Sequence, residues 1–143
     1  MLRQLALTIS GLVAALAITN TAKADCGMDD RTVEQAYSES VMVFTADVIR
    51  SVAISDEDSG WTNYEYEVRV EKAYKGAPGR TLILKSYGED SYQANAGEEH
   101  LFFLTDKYDQ NPYELSACGR NALVSEAQED LTWLDEHAGQ RVK

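Results

Sequence analysis

The chain has 143 residues and a mass of 15.9 kDa, which is room for one ordinary domain. Its apolar share of 44% belongs to a packed globule rather than a disordered chain. Lys and Arg total 13 against 24 Asp and Glu; Arg3 and Lys23 are the charges of residues 1–24, so a formal −11 overall becomes −13 for the remainder. A surface that acidic repels phosphates, which excludes nucleic acid as a partner and makes an anionic membrane no better. Two Cys and two His cannot supply a structural zinc site and anything besides.

Residues 1–24 read as a secretory signal. Arg3 gives a positive start, Leu5 to Ile18 carries no charge, and Thr21-Ala22-Lys23-Ala24 puts small residues where a signal peptidase reads. The apolar stretch is too short to span a bilayer and no stop-transfer basic run follows it, so no membrane anchor is expected. The mature protein is expected to begin at Asp25, exported to the periplasm or beyond, as a single domain over residues 25–143. Asp25 also stands where a lipoprotein signal wants Gly or Ala, which disfavours lipidation at Cys26. In an oxidising compartment two thiols pair, and Cys26 and Cys118 are the two available. On the chain-entropy account, closing so long a loop stabilises by roughly 4–5 kcal/mol at most.

In the mature chain, Asp29 to Glu39 reads as a short helix, capped by Asp29 or Asp30, with Val33, Ala36 and Tyr37 on one face. Met42 to Ile54 is a β-rich run in which Phe44, Ala46 and Val48 alternate with Thr45, Asp47 and Ile49; Ser55 to Gly60 is a polar loop. Tyr64, Tyr66, Val68 and Val70 alternate with Glu65, Glu67, Arg69 and Glu71 in the cleanest strand pattern of the chain. Gly76-Ala77-Pro78-Gly79 makes a turn, Leu82 and Leu84 a third strand, and Gly88 to Gly97 a loop. Leu101 to Leu104 reads as a short strand covered on both sides. After a turn at Asp109 to Pro112, Tyr113, Leu115 and Ala117 alternate into Cys118 as a fifth strand. Ser125 and Gln128 form a capping-box pattern; Ala127, Leu131, Leu134 and Ala138 recur at helical spacing, and Gly139 ends that helix. Five strands between two helices predict a mainly β protein, a five-stranded Greek-key barrel of the oligonucleotide/oligosaccharide-binding (OB-fold) type.

Several segments fall into a recognisable order. Val43-Phe44-Thr45-Ala46-Asp47-Val48-Ile49, Tyr66 to Gly76 with its Val70-to-Gly76 ending, Gly97-Glu98-Glu99-His100-Leu101 and Cys118-Gly119-Arg120-Asn121 follow Cys26 in sequence. Together they resemble the netrin-like family that includes the tissue inhibitors of metalloproteinases, in its short bacterial form. His100 replaces a Tyr of that pattern. The resemblance covers almost the whole mature chain and implies the five-stranded barrel independently of periodicity. In the inhibitors the mature chain begins Cys-x-Cys, and the first Cys chelates the protease zinc through its amino nitrogen and carbonyl oxygen. By resemblance Cys26, paired with Cys118, is the second of these. The first would fall at Ala24, and its partner near Asp90 or Ser91 is absent as well. What the resemblance implies here is the scaffold without its chelating head.

Other constellations carry less. His100 and His137 lie in no metal spacing and read as structural. Asp56, Asp58 and Glu67 match positions 1, 3 and 12 of a calcium loop, but Gly60 and Trp61 stand at positions 5 and 6, so a solvated acidic loop is the better reading. Ser86, Ser91 and Ser116 lack a nucleophile-elbow context. Tyr64, Tyr66, Tyr74 and Tyr87 could line a groove, though packing explains most of them. No cofactor, metal or catalytic group is assigned. The expected function is an exported, non-catalytic protein-binding module, with a metalloprotease inhibitor acting through its mature amino terminus as the alternative. The resemblance places the docking edge at Asp25, Gly27 and Met28, flanked by Asp56, Glu57, Asp58 and Trp61, although the simpler reading of Trp61 is that it begins the second strand and packs against the barrel.

Overall fold

A computed structural model describes residues 31–105 and 113–139. The expected signal, Asp25, Cys26, Gly27 and Met28, and the turn at Asp109 to Pro112 lie outside those residues. Thr32 opens the first helix, α1 (Val33–Glu39). Its hydroxyl accepts from the Gln35 backbone at 3.2 Å while the Gln35 side chain accepts from the Thr32 backbone at 2.9 Å. This capping box satisfies two N–H groups reciprocally, so the helix starts there rather than at the expected Asp29 or Asp30. At its other end the Ser40 hydroxyl donates to the Ala36 carbonyl at 2.6 Å, and the chain extends directly into a strand.

Six strands follow: β1 (Ser40–Ser55), β2 (Thr62–Lys75), β3 (Thr81–Ser86), β4 (Glu99–Thr105), β5 (Glu114–Leu115) and β6 (Ala122–Leu123). A one-turn 3-10 segment, Val124–Glu126, leads into α2 (Gln128–His137). The sheet order is β5-β3-β2-β1-β4-β6, antiparallel except for the β3–β5 pair, and the sheet curls into a half-barrel. The register between β1 and β2 explains the curl. It skips Tyr74 and Glu71 on β2 and Ile49 on β1, and each unpaired residue adds bend and twist.

The count of six corrects the expected five. The segment from Tyr113 to Cys118 pairs with β3 only at Glu114 and Leu115, because Ala117 turns its N–H to the Asp90 carbonyl at 2.7 Å. Ala122 and Leu123 then form the extra strand against β4. Next to it the Asn121 side chain accepts the Phe103 N–H at 2.7 Å, satisfying one more group on that edge. The expected Ser125/Gln128 capping box does not form. Ser125 lies in the 3-10 segment, Ala127 caps α2 with no side-chain bond, and the Gln128 amide reaches back to the Val124 carbonyl at 2.6 Å. Gly139 follows the Ala138 cap at φ +84°, as a helix-ending glycine should.

The sheet is covered on both faces. Phe44, Ala46, Val48, Tyr66, Val68, Leu84, Phe102 and Leu104 form one core. Val43, Leu101 and Phe103 point the other way and pack with Ala36 and Tyr37 of α1 and Leu134 of α2. This matches the two-sided burial expected of Leu101 to Leu104.

Gly76 closes β2 under two constraints. Its φ is +75°, and a Cβ there would meet the Met42 side chain at 2.7 Å and the Val41 carbonyl at 2.8 Å. Gly76→Ala is therefore expected to destabilise by about 1–3 kcal/mol, read as a lower urea midpoint with an unchanged slope; an unchanged midpoint would contradict the close approach.

Candidate functional site

The turn joining β1 to β2 is built by Asp56. Its carboxylate accepts from the Ser59 hydroxyl at 2.7 Å and from the Asp58 and Ser59 backbone at 3.1 and 3.4 Å. These bonds, that from the Ser59 hydroxyl foremost, hold the Asp56 carboxyl below the usual carboxylate range. Backbone bonds of 2.9 Å from Asp56 to Trp61 and from Gly60 to Asp56 close the turn. Asp56 is thus spent on the turn, whereas Glu57 and Asp58 are exposed. Trp61 precedes β2 and is 46% exposed, so it does not pack into the core as a simple first strand residue would. The calcium-loop pattern is not assembled: Glu67 lies on β2, bonded to Arg50 at 3.3 Å.

Cys26, Asp25, Gly27 and Met28 lie outside the described residues, but the chain leading from them is held. Arg31 donates to the Cys118 carbonyl at 3.2 Å, and Arg120 donates to the Arg31 carbonyl at 2.7 Å while gripping Asp130 of α2 with two 2.7 Å bonds. Cys118 is not a free thiol. Between this corner and the β1–β2 turn stands the loop after β3, where Gly88 donates to the Asn63 side chain at 3.1 Å and Asp90 accepts from Ala117. No bond among the described residues joins the Asp56–Trp61 turn to Cys118 directly. A hollow of about 390 Å³ opens beside Arg120, Glu126, Glu129 and Asp130.

A third arrangement was hidden in the polar stretch Gly88 to Gly97. His100 on β4 is 2% exposed, with Tyr92 on one ring nitrogen (2.7 Å to Nδ1) and Glu98 on the other (3.0 Å to Nε2). Asn95 donates twice to Glu98, at 2.8 and 3.0 Å. The Tyr66 hydroxyl donates to the Tyr92 carbonyl at 2.6 Å, and the Ser86 hydroxyl accepts the Tyr92 N–H at 2.6 Å. A carboxylate can only accept, so Nε2 carries a proton toward Glu98, and Nδ1 shares its bond with the Tyr92 hydroxyl, which can serve either role. Burial first, then the Glu98 charge, push the Tyr92 hydroxyl well above its usual range. The network straps the loop across the sheet. The clue in the sequence was Tyr66, an aromatic on an apolar face whose hydroxyl needed a partner.

The remaining residues singled out in the sequence separate. His137 is exposed, its Nδ1 against the Trp133 carbonyl at 2.8 Å, its ring stacked on Trp133. Tyr64 and Tyr66 stack on each other on one side of the sheet, Tyr74 packs with the helices on the other, and Tyr87 is exposed, so the four line no common groove.

The strap makes stability sensitive to pH at both extremes. Asn95 above all, with His100 a smaller contributor, lowers the Glu98 carboxyl below the 4.5 of a free glutamate side chain. The unfolded chain then takes up the proton first, so stability is full above pH 4.5 and falls as pH drops toward the lowered folded value. Burial pushes Tyr66 up to about 12. The unfolded chain loses that proton near pH 10, so stability also falls from about pH 10 to 12. Urea titrations across pH should show both flanks, with Glu98→Gln reducing the acid one, which Asp56 shares, and Tyr66→Phe reducing the alkaline one, which Tyr92 shares. Identical profiles in the variants would contradict the assignment.

No protein-family model matches the chain, and no curated protein matches its sequence.

Proposed function

We propose that this protein is an exported, non-catalytic protein-binding module of the netrin-like type. In this reading the curled sheet is a variant of the OB-fold barrel. The parallel β3–β5 pair and the return of β4 to the outer side of β1 support it, as does the approach of β5 to β4. Cys26 pairs with Cys118, tying down the amino-terminal segment. The bonds from Arg31 to Cys118 and from Arg120 to Arg31 support that pairing, since they hold the chain only a few residues from Cys26 at that corner.

The observation that carries the binding function is the β1–β2 end. An exposed Trp61 stands on a turn made rigid by Asp56, beside the exposed acids Glu57 and Asp58. A large aromatic on a pre-formed turn loses little entropy when it inserts into a partner, and Trp is among the residue types enriched at interface hot spots. The acids around it accelerate encounter with a basic partner and make the encounter salt-dependent.

Crosslinking in the native compartment, followed by purification of the crosslinked partner, tests this. Trp61→Ala is expected to weaken that partner's binding at least tenfold without shifting the melting temperature, while Glu57→Gln with Asp58→Asn lowers the association rate and its salt dependence. Unchanged binding in both variants would move the docking surface elsewhere. Inhibition of a zinc protease that disappears when the mature amino terminus is acetylated would replace this reading with that of an inhibitor.

A further inference from the structure

β1 leaves β4 before it leaves β2. Its pairing with β4 ends at Asp47, with two last backbone bonds, the Val48 N–H donating to the Glu98 carbonyl and the Gly97 N–H donating to the Val48 carbonyl. From Arg50 to Ser55 it continues to pair with β2, which in turn pairs with β3 from Tyr64 to Arg69. The outer edge of β1 from Ile49 to Ser55 therefore carries no backbone partner among the described residues, yet as far as Ala53 it belongs to a sheet three strands wide. Open edges of this kind template the addition of another strand. Ile49 and Ile54 on this edge are 47% and 48% exposed.

The surroundings of the edge say what kind of strand fits. At one end stand the exposed acids Glu57 and Asp58; at the other stands the exposed Glu99, beside Asp47, which Arg69 takes up at 2.6 Å, and Glu98, which Asn95 and His100 take up. Arg50, the cation of the edge, is taken up by Glu67 at 3.3 Å and Glu65 at 4.0 Å. Apolar residues in the middle and exposed acids at both ends, Glu57 and Asp58 at one and Glu99 at the other, match an extended segment with β-branched residues at its centre and Lys or Arg at each end. Seven residues of strand place those ends about 23 Å apart. A second copy fits less well, because it would bring the same acids of a chain with net charge −11 against each other.

We propose that the β1 edge from Ile49 to Ser55 binds an extended basic peptide segment of a partner protein by strand addition. This rests on the protein-binding reading and names the partner chemistry of the same end of the sheet.

The probe is a capped synthetic peptide, Lys-Lys-Val-Thr-Val-Thr-Val-Lys-Lys, titrated into the mature protein and followed by amide NMR shifts. A second peptide is N-methylated at the valines, which keeps the charge and removes backbone donors. The expected result is shifts confined to Ile49–Ser55 and its neighbours on β2, and binding at least tenfold weaker for the methylated peptide. Glu57→Gln with Asp58→Asn should weaken the first peptide severalfold and reduce its salt dependence. Equal affinity for both peptides, shifts centred elsewhere, or no binding up to about 1 mM would overturn the proposal. So would a dimer in sedimentation that Ile54→Lys dissolves, since a second copy would then own the edge. If the native partner still depends on Trp61 while the peptide result is negative, strand addition fails and the protein-binding reading stands.

Discussion

The structure depends on the division of labour along β1. In its first half both faces are buried: Val43 packs with the helices, Phe44 and Ala46 with the opposite core, and Thr45 between them is 5% exposed. Here it lies between β2 and β4 and holds the two layers together. After the bulge at Ile49 the same strand is exposed on most of its residues and lacks β4 on its outer side. One strand thus serves as the spine of the domain at one end and as an open edge at the other. The bulge is where the first role gives way to the second.

That division explains what the sequence made legible. β2 was readable because its alternation is complete, from Tyr64 to Val70, with charged residues on the opposite face. The first half of β1 was readable only on its inward face, since the burial of Val43 and Thr45 depends on helices that arrive from both ends of the chain. β6 was invisible: two residues, Ala122 and Leu123, carry no period, and their pairing with β4 is imposed by the chain turning at Asn121. The Thr32/Gln35 box lost out in the reading to two acids just upstream, although its spacing was the better signal.

The buried network was the largest omission, for a physical reason. Gly88 to Gly97 has the composition of a solvent-facing loop, yet Tyr92 and Ala94 are fixed to the sheet through Ser86, Tyr66 and His100. Such a strap is a long-range arrangement of single residues, with no periodicity to betray it. It fixes the loop that bridges Asn63, near the β1–β2 turn, and the Cys118 corner. Of the candidate site, the exposed Trp61 and its acidic neighbours were legible. That Asp56 builds the turn instead of facing a partner was not, because the same composition serves either purpose.

The central claim is that β1 is a buried spine as far as Val48 and an open edge beyond it. Residue-resolved hydrogen exchange on the free mature protein tests this most directly. The account predicts that amides of Val43 to Val48 exchange only on global unfolding, while the outward-pointing amides between Ile49 and Ser55 exchange faster by two or more orders of magnitude, roughly the gap between global and local opening. Uniform slow exchange from Val43 to Ser55 would contradict it, because the outer edge would then already be covered.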